Sequence, residues 1–426
     1  MEKNFTLENG LRFISSQNRN INSVSISVFF RVGSVYENRF NYGITHLVEH
    51  LFFRRFNNLN NSELYYKAES IGTELRGRTF RDFVCFEAVV VPQYFKSLMD
   101  LLMNLFADFS WTNDELDAEK AIVKKQIDFS TQSYLEFGEE LYFNCEEYSV
   151  PIMGDWDTVK NFSVVEVNQW KKKYFQCSNA AVSIAGGFSQ NDLEYAEKCL
   201  STLKCFSDEV IQKKWITPPN LFSRTEKDIR LFPGNSSISD VWIMFDVNLK
   251  NCNLTTAEML STILGGWCGS RLPYLLIDTY ALTDMISSVV YQYAEFARIS
   301  IEYSIFGQDI LESLSYVFDT VKALKKDIRH EDFDKMISFF TTNRIKDNDD
   351  PQGLSFTRGY DEWIQNYTDE SRLENPSYVT ISNTIQKAAQ YVFSPENLSI
   401  FIRNNRQTVR QKDIKNFCIN FREELR

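Results

Sequence analysis

The residues best equipped for chemistry in this chain are His46, Glu49 and His50, in the stretch His46-Leu47-Val48-Glu49-His50. The chain has only three histidines, and two of them stand here, four positions apart. On a helix, side chains at i and i+4 lie one above the other, so both imidazoles can reach one metal ion. Glu49 follows His46 by three positions, close enough to the same face to touch a metal-bound water. Two neutral nitrogens that hold a divalent ion, beside a carboxylate that moves protons, are the parts of metal-assisted hydrolysis. The pattern H-x-x-E-H is the inverted form of a zinc-peptidase helix motif. The bland alternative is a pair of histidines that only pack or cap.

Such a helix must be held firmly. Leu47, Val48, Leu51 and Phe52 fill its remaining positions, which predicts a buried helix. Gly33 and Gly43 bracket the loop that leads into it. Ahead of that loop, Asn9-Gly10 between Phe5-Thr6-Leu7 and Leu11-Arg12-Phe13-Ile14 signals a hairpin. Residues 23–33 read as a strand with Val24, Ile26, Val28 and Phe30 on one face. Beyond the motif come a helix over 62–72 ending at Gly72, strands over 73–81 and 83–91, and helices over 92–106 and 112–128. Residues 133–148 are aromatic and acidic and carry no clear period. A buried strand over 180–185, ending at Gly186-Gly187, precedes a helix over 191–203.

The stretch 207–227, with Pro218-Pro219 and mixed charge, reads as a linker. After it the order restarts. Strands over 229–232 and 241–247 precede a helix over 255–265, which falls where the motif helix fell before. Domains are therefore expected over 1–206 and 228–426, as a degenerate duplication of one α+β layout. The second copy has no H-x-x-E-H. Its one histidine, His330, lies in Arg329-His330-Glu331-Asp332 and reads as a surface residue.

Composition narrows the function classes. With 426 residues, the chain is too long for one ordinary core. Hydrophobic content of 43% and charged content of 24% suit a globular protein. A net charge of −11 argues against nucleic acid as a partner, since phosphate binding needs clustered Lys and Arg. None of the eight cysteines forms a C-x-x-C pair, and several lie in apolar runs, as Cys85 does. They read as buried free thiols, which points to a reducing compartment. Met1-Glu2-Lys3-Asn4-Phe5 lacks the apolar core of a signal peptide, and no run is long enough for a membrane span. A cytoplasmic protein is expected.

Further short matches surround the motif: Leu7-Glu8-Asn9-Gly10-Leu11, Gly33-Ser34, Gly43-Ile44-Thr45 and Ser70-Ile71-Gly72. Later ones are Ser183-Ile184-Ala185-Gly186-Gly187 and Ser270-Arg271-Leu272. With them the chain resembles the pitrilysin-type metallopeptidases. That family includes insulin-degrading enzymes, mitochondrial processing peptidase and small bacterial processing peptidases. The resemblance covers most of the chain and is strongest over 7–130.

The resemblance implies two similar α+β domains, each a mainly antiparallel sheet with helices packed on it, forming half of or a whole clam shell. It implies zinc (Zn2+) on His46 and His50, with Glu49 as the general base. A peptide would add as a strand to a sheet edge. The matching edge here is Leu75 to Thr79, with Arg76, Gly77, Arg78 and Thr79 where the family usually has Asn and Ala at the first two of those positions. Arg76 and Arg78 either favour acidic substrates or are solvent-facing strand charges.

The family's third ligand, a Glu, falls at Gln126, 76 residues after His50. A neutral amide is a weaker zinc ligand than a carboxylate, so lower metal affinity is expected. Glu119 matches a second family Glu, seven residues earlier, expected to orient a ligand rather than bind metal. The family's Arg and Tyr of the second domain fall at Ile277 and Asp284, so both are lost. In two-subunit bacterial members one chain carries the zinc motif and its partner the Arg/Tyr pair. The chain resembles the zinc-bearing half, paired with a homologous subunit or with itself as a homodimer.

The function implied is a zinc-dependent endopeptidase acting on small or unfolded peptides, leader or precursor peptides among them. One rival is a non-catalytic, peptide-binding or scaffold subunit of a heterodimeric peptidase, impaired by Gln126. Another is a metal-free peptide-binding module for the biosynthesis of modified peptides.

Overall fold

The strand Val24–Phe30 is buried along its whole length, and a sheet is built around it. A computed structural model of the chain describes residues 2–129, 142–143, 148, 150–204, 211, 218, 220–293, 296–365, 378–405 and 409–426. Most of the 133–148 stretch and about half of the 207–227 linker lie outside the described residues.

By their internal contacts the residues form two units. The first is Met1–Ile216 with Asn343–Ser371, and the second is Thr217–Thr342 with Arg372–Arg426. The change near 216 falls inside the stretch read as linker. The return of 343–371 to the first unit is something chain order alone does not provide for.

The strands of the first unit are β1 (Glu2–Thr6), β2 (Arg12–Gln17), β3 (Val24–Phe30), β6 (Arg76–Thr79), β7 (Val84–Val90) and β8 (Ala180–Gly186). A two-residue ladder, β4 (Arg55–Phe56) with β5 (Leu59–Asn60), stands apart. The sheet order is β1-β2-β8-β3-β7-β6, which puts β6 at an edge. Only β2 and β8 run parallel; the other neighbours are antiparallel.

The helices of this unit include α1 (Ile44–Arg54), α2 (Asn61–Ser70), α3 (Phe95–Leu102), α4 (Asn113–Phe129), α5 (Val164–Tyr174) and α6 (Gln190–Ser201). Their apolar stripes meet Val24, Ile26, Val28 and Phe30 in one large core. Asn60 opens α2 with a reciprocal capping box to Glu63. Gly72 follows that helix at φ +72°, as a stop signal should.

The second unit has β9 (Ile229–Pro233), β10 (Ile238–Asn248), β11 (Ile286–Gln292), β12 (Phe296–Phe306) and β13 (Leu398–Asn404), in the order β11-β12-β10-β13-β9. Only β13 and β9 are parallel. Apart from β1, the two sheets match strand for strand. β2, β8, β3, β7 and β6 correspond to β9, β13, β10, β12 and β11, with the parallel pair in the same place. The duplicated α+β fold expected from chain order is therefore present. Helix α7 (Leu254–Gly265) follows β10 as α1 follows β3, but it is apolar and carries no histidine. Helix α8 (Ile310–Lys326) adds to the core of this unit.

The other face of the first sheet is also covered. Helix α9 (Pro351–Gly359) and the π-helical turn Tyr360–Gln365 lie on it. Phe356, Tyr360, Trp363 and Ile364 pack against Ile14, Phe29, Phe83, Cys85 and Ala181. An added Cβ on Gly359 would lie 2.2 Å from the Phe29 ring, so only glycine permits this approach. Ser25 and Ser27, which look solvent-facing in the strand pattern, are buried here. Each hydroxyl meets the Ser355 hydroxyl at 2.8 Å, which meets the need of buried polar groups for partners. Arg31 stacks 3.9 Å over the Trp363 ring and donates to its carbonyl.

His330 is exposed and pairs with Asp334 at 3.0 Å, as a surface histidine would. Ile277 packs against the second core and Asp284 is exposed. Cys85, Cys199, Cys252, Cys268 and Cys418 are free thiols. Cys177 is disulfide-bonded, so the reading of every cysteine as a free thiol fails there. Cys177 stands between Gln176 and Ser178, and nothing in that local sequence marks its thiol as paired. Among the described residues no helix is long and apolar enough to cross a membrane.

Candidate active site

Helix α1 begins at Gly43, whose φ of +87° suits glycine and where an added Cβ would lie 2.5 Å from the Met153 carbonyl. The first N–H groups of a helix have no acceptor within it. Glu37, itself buried, supplies one. Its carboxylate accepts from the Gly43 N–H at 2.7 Å and the Thr45 N–H at 2.9 Å, and it faces the positive end of the helix dipole. The turn carrying His46 is thereby anchored one step away.

Burial outweighs these bonds and pushes the Glu37 carboxyl up to about 7. A carboxyl raised in the folded state holds its proton where the unfolded chain has lost it. The stability it contributes is thus full below the ordinary carboxylate range and is lost as pH rises towards 7. The difference in unfolding free energy between the wild type and Glu37→Gln should fall with pH by up to about 1.4 kcal/mol per unit over that window. Denaturant titrations from pH 4.5 to 8 measure it, and a flat difference would remove Glu37 from this role.

The motif residues converge as helical spacing predicts. The rings of His46 and His50 lie 4.6 Å apart between centroids, at 62°. Burial, with His50 alongside, holds His46 down at about 3, so its ring is neutral, the form that binds metal. His46 Nδ1 is buried with no hydrogen-bond partner. Glu49 is buried, and burial raises its pKa, opposed by His50 and by a hydrogen bond from Thr79. That bond runs from Thr79 Oγ1 to Glu49 Oε2 at 2.9 Å.

Helix α4 crosses behind α1. Arg55 pairs with Glu115 at 2.5 Å, while Arg54 and His50 meet Glu119 at 2.6 and 3.3 Å. Contacts step back along α1 as α4 advances, so the two helices run antiparallel. Glu119 is buried, with one oxygen on His50 Nδ1 and the other on Arg54 Nε. A carboxylate on the ring nitrogen opposite a metal is how ligand histidines are commonly oriented.

Gln126 lies two turns further along α4, about 10 Å from Glu119 along the axis. The antiparallel register takes it to the His46 end of α1, and its side chain is exposed. Among the described residues no group of three or more His, Cys, Asp or Glu side chains is arranged to hold a metal. The donors present are two facing imidazoles and one carboxylate that orients His50, with a neutral amide where the family's third ligand falls, one strong donor short of a three-ligand site.

Strand β6 lies beside α1. Gly77 and Thr79 face Glu49, while Arg76 and Arg78 face the other way, as alternation along a strand requires. Arg78 pairs with the buried Glu87 at 2.8 Å and sits 4.7 Å over the Phe356 ring. Arg76 pairs with Glu74 at 2.8 Å in solvent. Both charges are matched within the chain, which favours the solvent-facing reading over attraction of acidic substrates.

Three partners of the site escape sequence reasoning: Glu37, Arg54 and the hydroxyl of Thr79. An acidic residue in the loop just ahead of a glycine-capped helix is the one signal that points to Glu37.

A duplicated α+β fold with such a helix in only one copy defines a class of protein, the two-domain metallopeptidases. Comparison with known proteins agrees. The profile described as Insulinase (Peptidase family M16) matches residues 12–155, and Peptidase M16 inactive domain matches 161–339. The chain belongs to peptidase family M16.

A Bacillus subtilis relative named Uncharacterized zinc protease YmxG is 23% identical over 343 residues, covering 77% of this chain and 79% of that one. The mitochondrial-processing peptidase subunit beta of Caenorhabditis elegans is 23% identical over 204 residues, covering 47% and 44%. Among solved structures, a protease from Helicobacter pylori aligns with a TM-score of 0.83 at 19% identity, over 95% of this chain and 99% of that one. Zinc proteolysis is thus the activity named at family level.

Proposed function

We propose that the chain is a zinc endopeptidase for small or unfolded peptides, leader or precursor peptides among them, working with a homologous subunit that supplies the Arg/Tyr pair. The observation that carries this is the buried Glu49 on the same turn as two facing imidazoles, beside an edge strand. His46 and His50 would hold the ion, with Gln126 at the third position and Glu119 orienting His50. Zinc, when bound there, supplies a Lewis acid for the scissile carbonyl and for the attacking water. Glu49 takes the proton of that water and hands it to the leaving amine. β6 offers its unpaired edge to the peptide backbone, which places the scissile bond near α1.

Gln126 favours a second reading, a non-catalytic peptide-binding or scaffold subunit, because it is neutral and exposed. Metal content separates the two. The purified chain should carry zinc after soaking; with its homologous subunit added it should cleave an unstructured peptide, lose that cleavage on chelation, and regain it with zinc. A chain that takes up no zinc belongs to the second reading.

A further inference from the structure

We infer that the inner face of strand β6 is the seat of the Glu49 carboxylate, with Thr79 as a positioning residue and Gly77 packed close against Oε1. The inference rests on Glu49 being the general base. Three observations carry it. Thr79 donates its hydroxyl to Glu49 Oε2 at 2.9 Å. A Cβ built on Gly77 would lie 2.7 Å from Glu49 Oε1 and 2.6 Å from Phe53 Cε2. Both residues are on an outermost strand of the sheet, whose outer edge has no strand partner among the described residues.

A carboxylate has two oxygens, and here each is tied to β6 by a different means. Oε2 is held by a hydrogen bond, and Oε1 occupies the volume that any side chain at 77 would fill. The carboxylate is buried, so it cannot choose its orientation freely against solvent. The same four residues therefore do two things. Their backbone edge receives a peptide, and their inward side chains fix the group that acts on it. Substrate and base share one strand as a ruler, so a peptide paired with β6 arrives in a set register to Glu49. Positioning of this kind acts on turnover rather than on affinity, because the seat touches the base and not the peptide.

The test uses the full chain with zinc, the homologous subunit that carries the Arg/Tyr pair, and a fluorogenic unstructured peptide. Thr79→Val keeps shape and removes the hydroxyl, and Thr79→Ser restores it. The expected result for Thr79→Val is a fall in kcat of about 10- to 100-fold, the size of a lost hydrogen bond to a charged group. KM and zinc content stay within about twofold, and Thr79→Ser recovers most of the rate. In a Glu49→Gln background, Thr79→Val removes nothing further.

Wild-type turnover in Thr79→Val, or equal impairment of the Ser and Val variants, overturns the proposal. So does a loss confined to KM or to zinc content. A crystal structure of Thr79→Val gives a readout independent of turnover: Glu49 should leave β6, and an unmoved carboxylate overturns the proposal. A wild type that binds zinc, seats Glu49 and cleaves nothing even with a homologous Arg/Tyr-bearing subunit present sinks the peptidase reading alone.

Discussion

Glu49→Gln should lose about 10²- to 10⁴-fold in peptide cleavage while keeping its zinc, its fold and its peptide affinity. The amide is isosteric with the carboxylate and can still accept the Thr79 hydrogen bond, so the seat on β6 survives. What it cannot do is accept a proton from water. The histidines are untouched, so metal content should match the wild type. Steady-state kinetics on one peptide, metal analysis and circular dichroism on the same preparation form a sufficient set. Undiminished cleavage by this variant would end the assignment of Glu49 as base, and with it the mechanism. A parallel loss of zinc would mean that Glu49 serves the fold or the metal instead.

Gln126→Glu should tighten zinc binding by at least about tenfold. A carboxylate brings a full negative charge to a divalent ion, where the amide brings only a dipole. The change lies on an exposed position of α4, so the added charge has little desolvation to overcome in the metal-free chain. Competition titrations with a chromogenic chelator measure the affinity of both forms. Turnover at limiting zinc should rise with occupancy, and turnover at saturating zinc should change much less. Unchanged affinity would place Gln126 outside the metal site and leave the ion to the two histidines. Tighter binding with raised turnover at limiting zinc supports the enzyme, and tighter binding with no cleavage in either form belongs to the scaffold reading.

The parts of the fold visible in the residues were those with local causes. The i, i+4 histidines, the Asn9-Gly10 hairpin and the apolar spacing of α1 and α3 each act within a dozen positions. The duplication showed in element order, and the matching strand topology of the two sheets agrees with it. Other features depend on partners far along the chain. Ser25 and Ser27 alternate with Val24, Ile26 and Val28, and the strand pattern names no partner for their hydroxyls. They are buried because Ser355 arrives from 330 and 328 positions away.

Within the candidate site the same division holds. His46, Glu49 and His50 announce themselves by spacing, and the edge strand by its match to a known family. The Thr79 hydroxyl on Glu49 spans 30 positions. Arg54 bonds across 65 positions to a glutamate for which only an orienting role was foreseen. Glu37 caps α1 from within a stretch that reads as plain loop, because capping by a residue outside the first turn has no fixed offset.

Covering the sheet with α9 has a consequence for biosynthesis. Phe29 and Phe83 belong to a layer finished only by residues 356–364. A nascent chain paused after both halves of the duplication have begun would still show that aromatic surface to solvent or to a chaperone. The zinc-motif half is thus assembled early and sealed late, and a stop codon ahead of Pro351 would release a product with an unfinished, sticky wall.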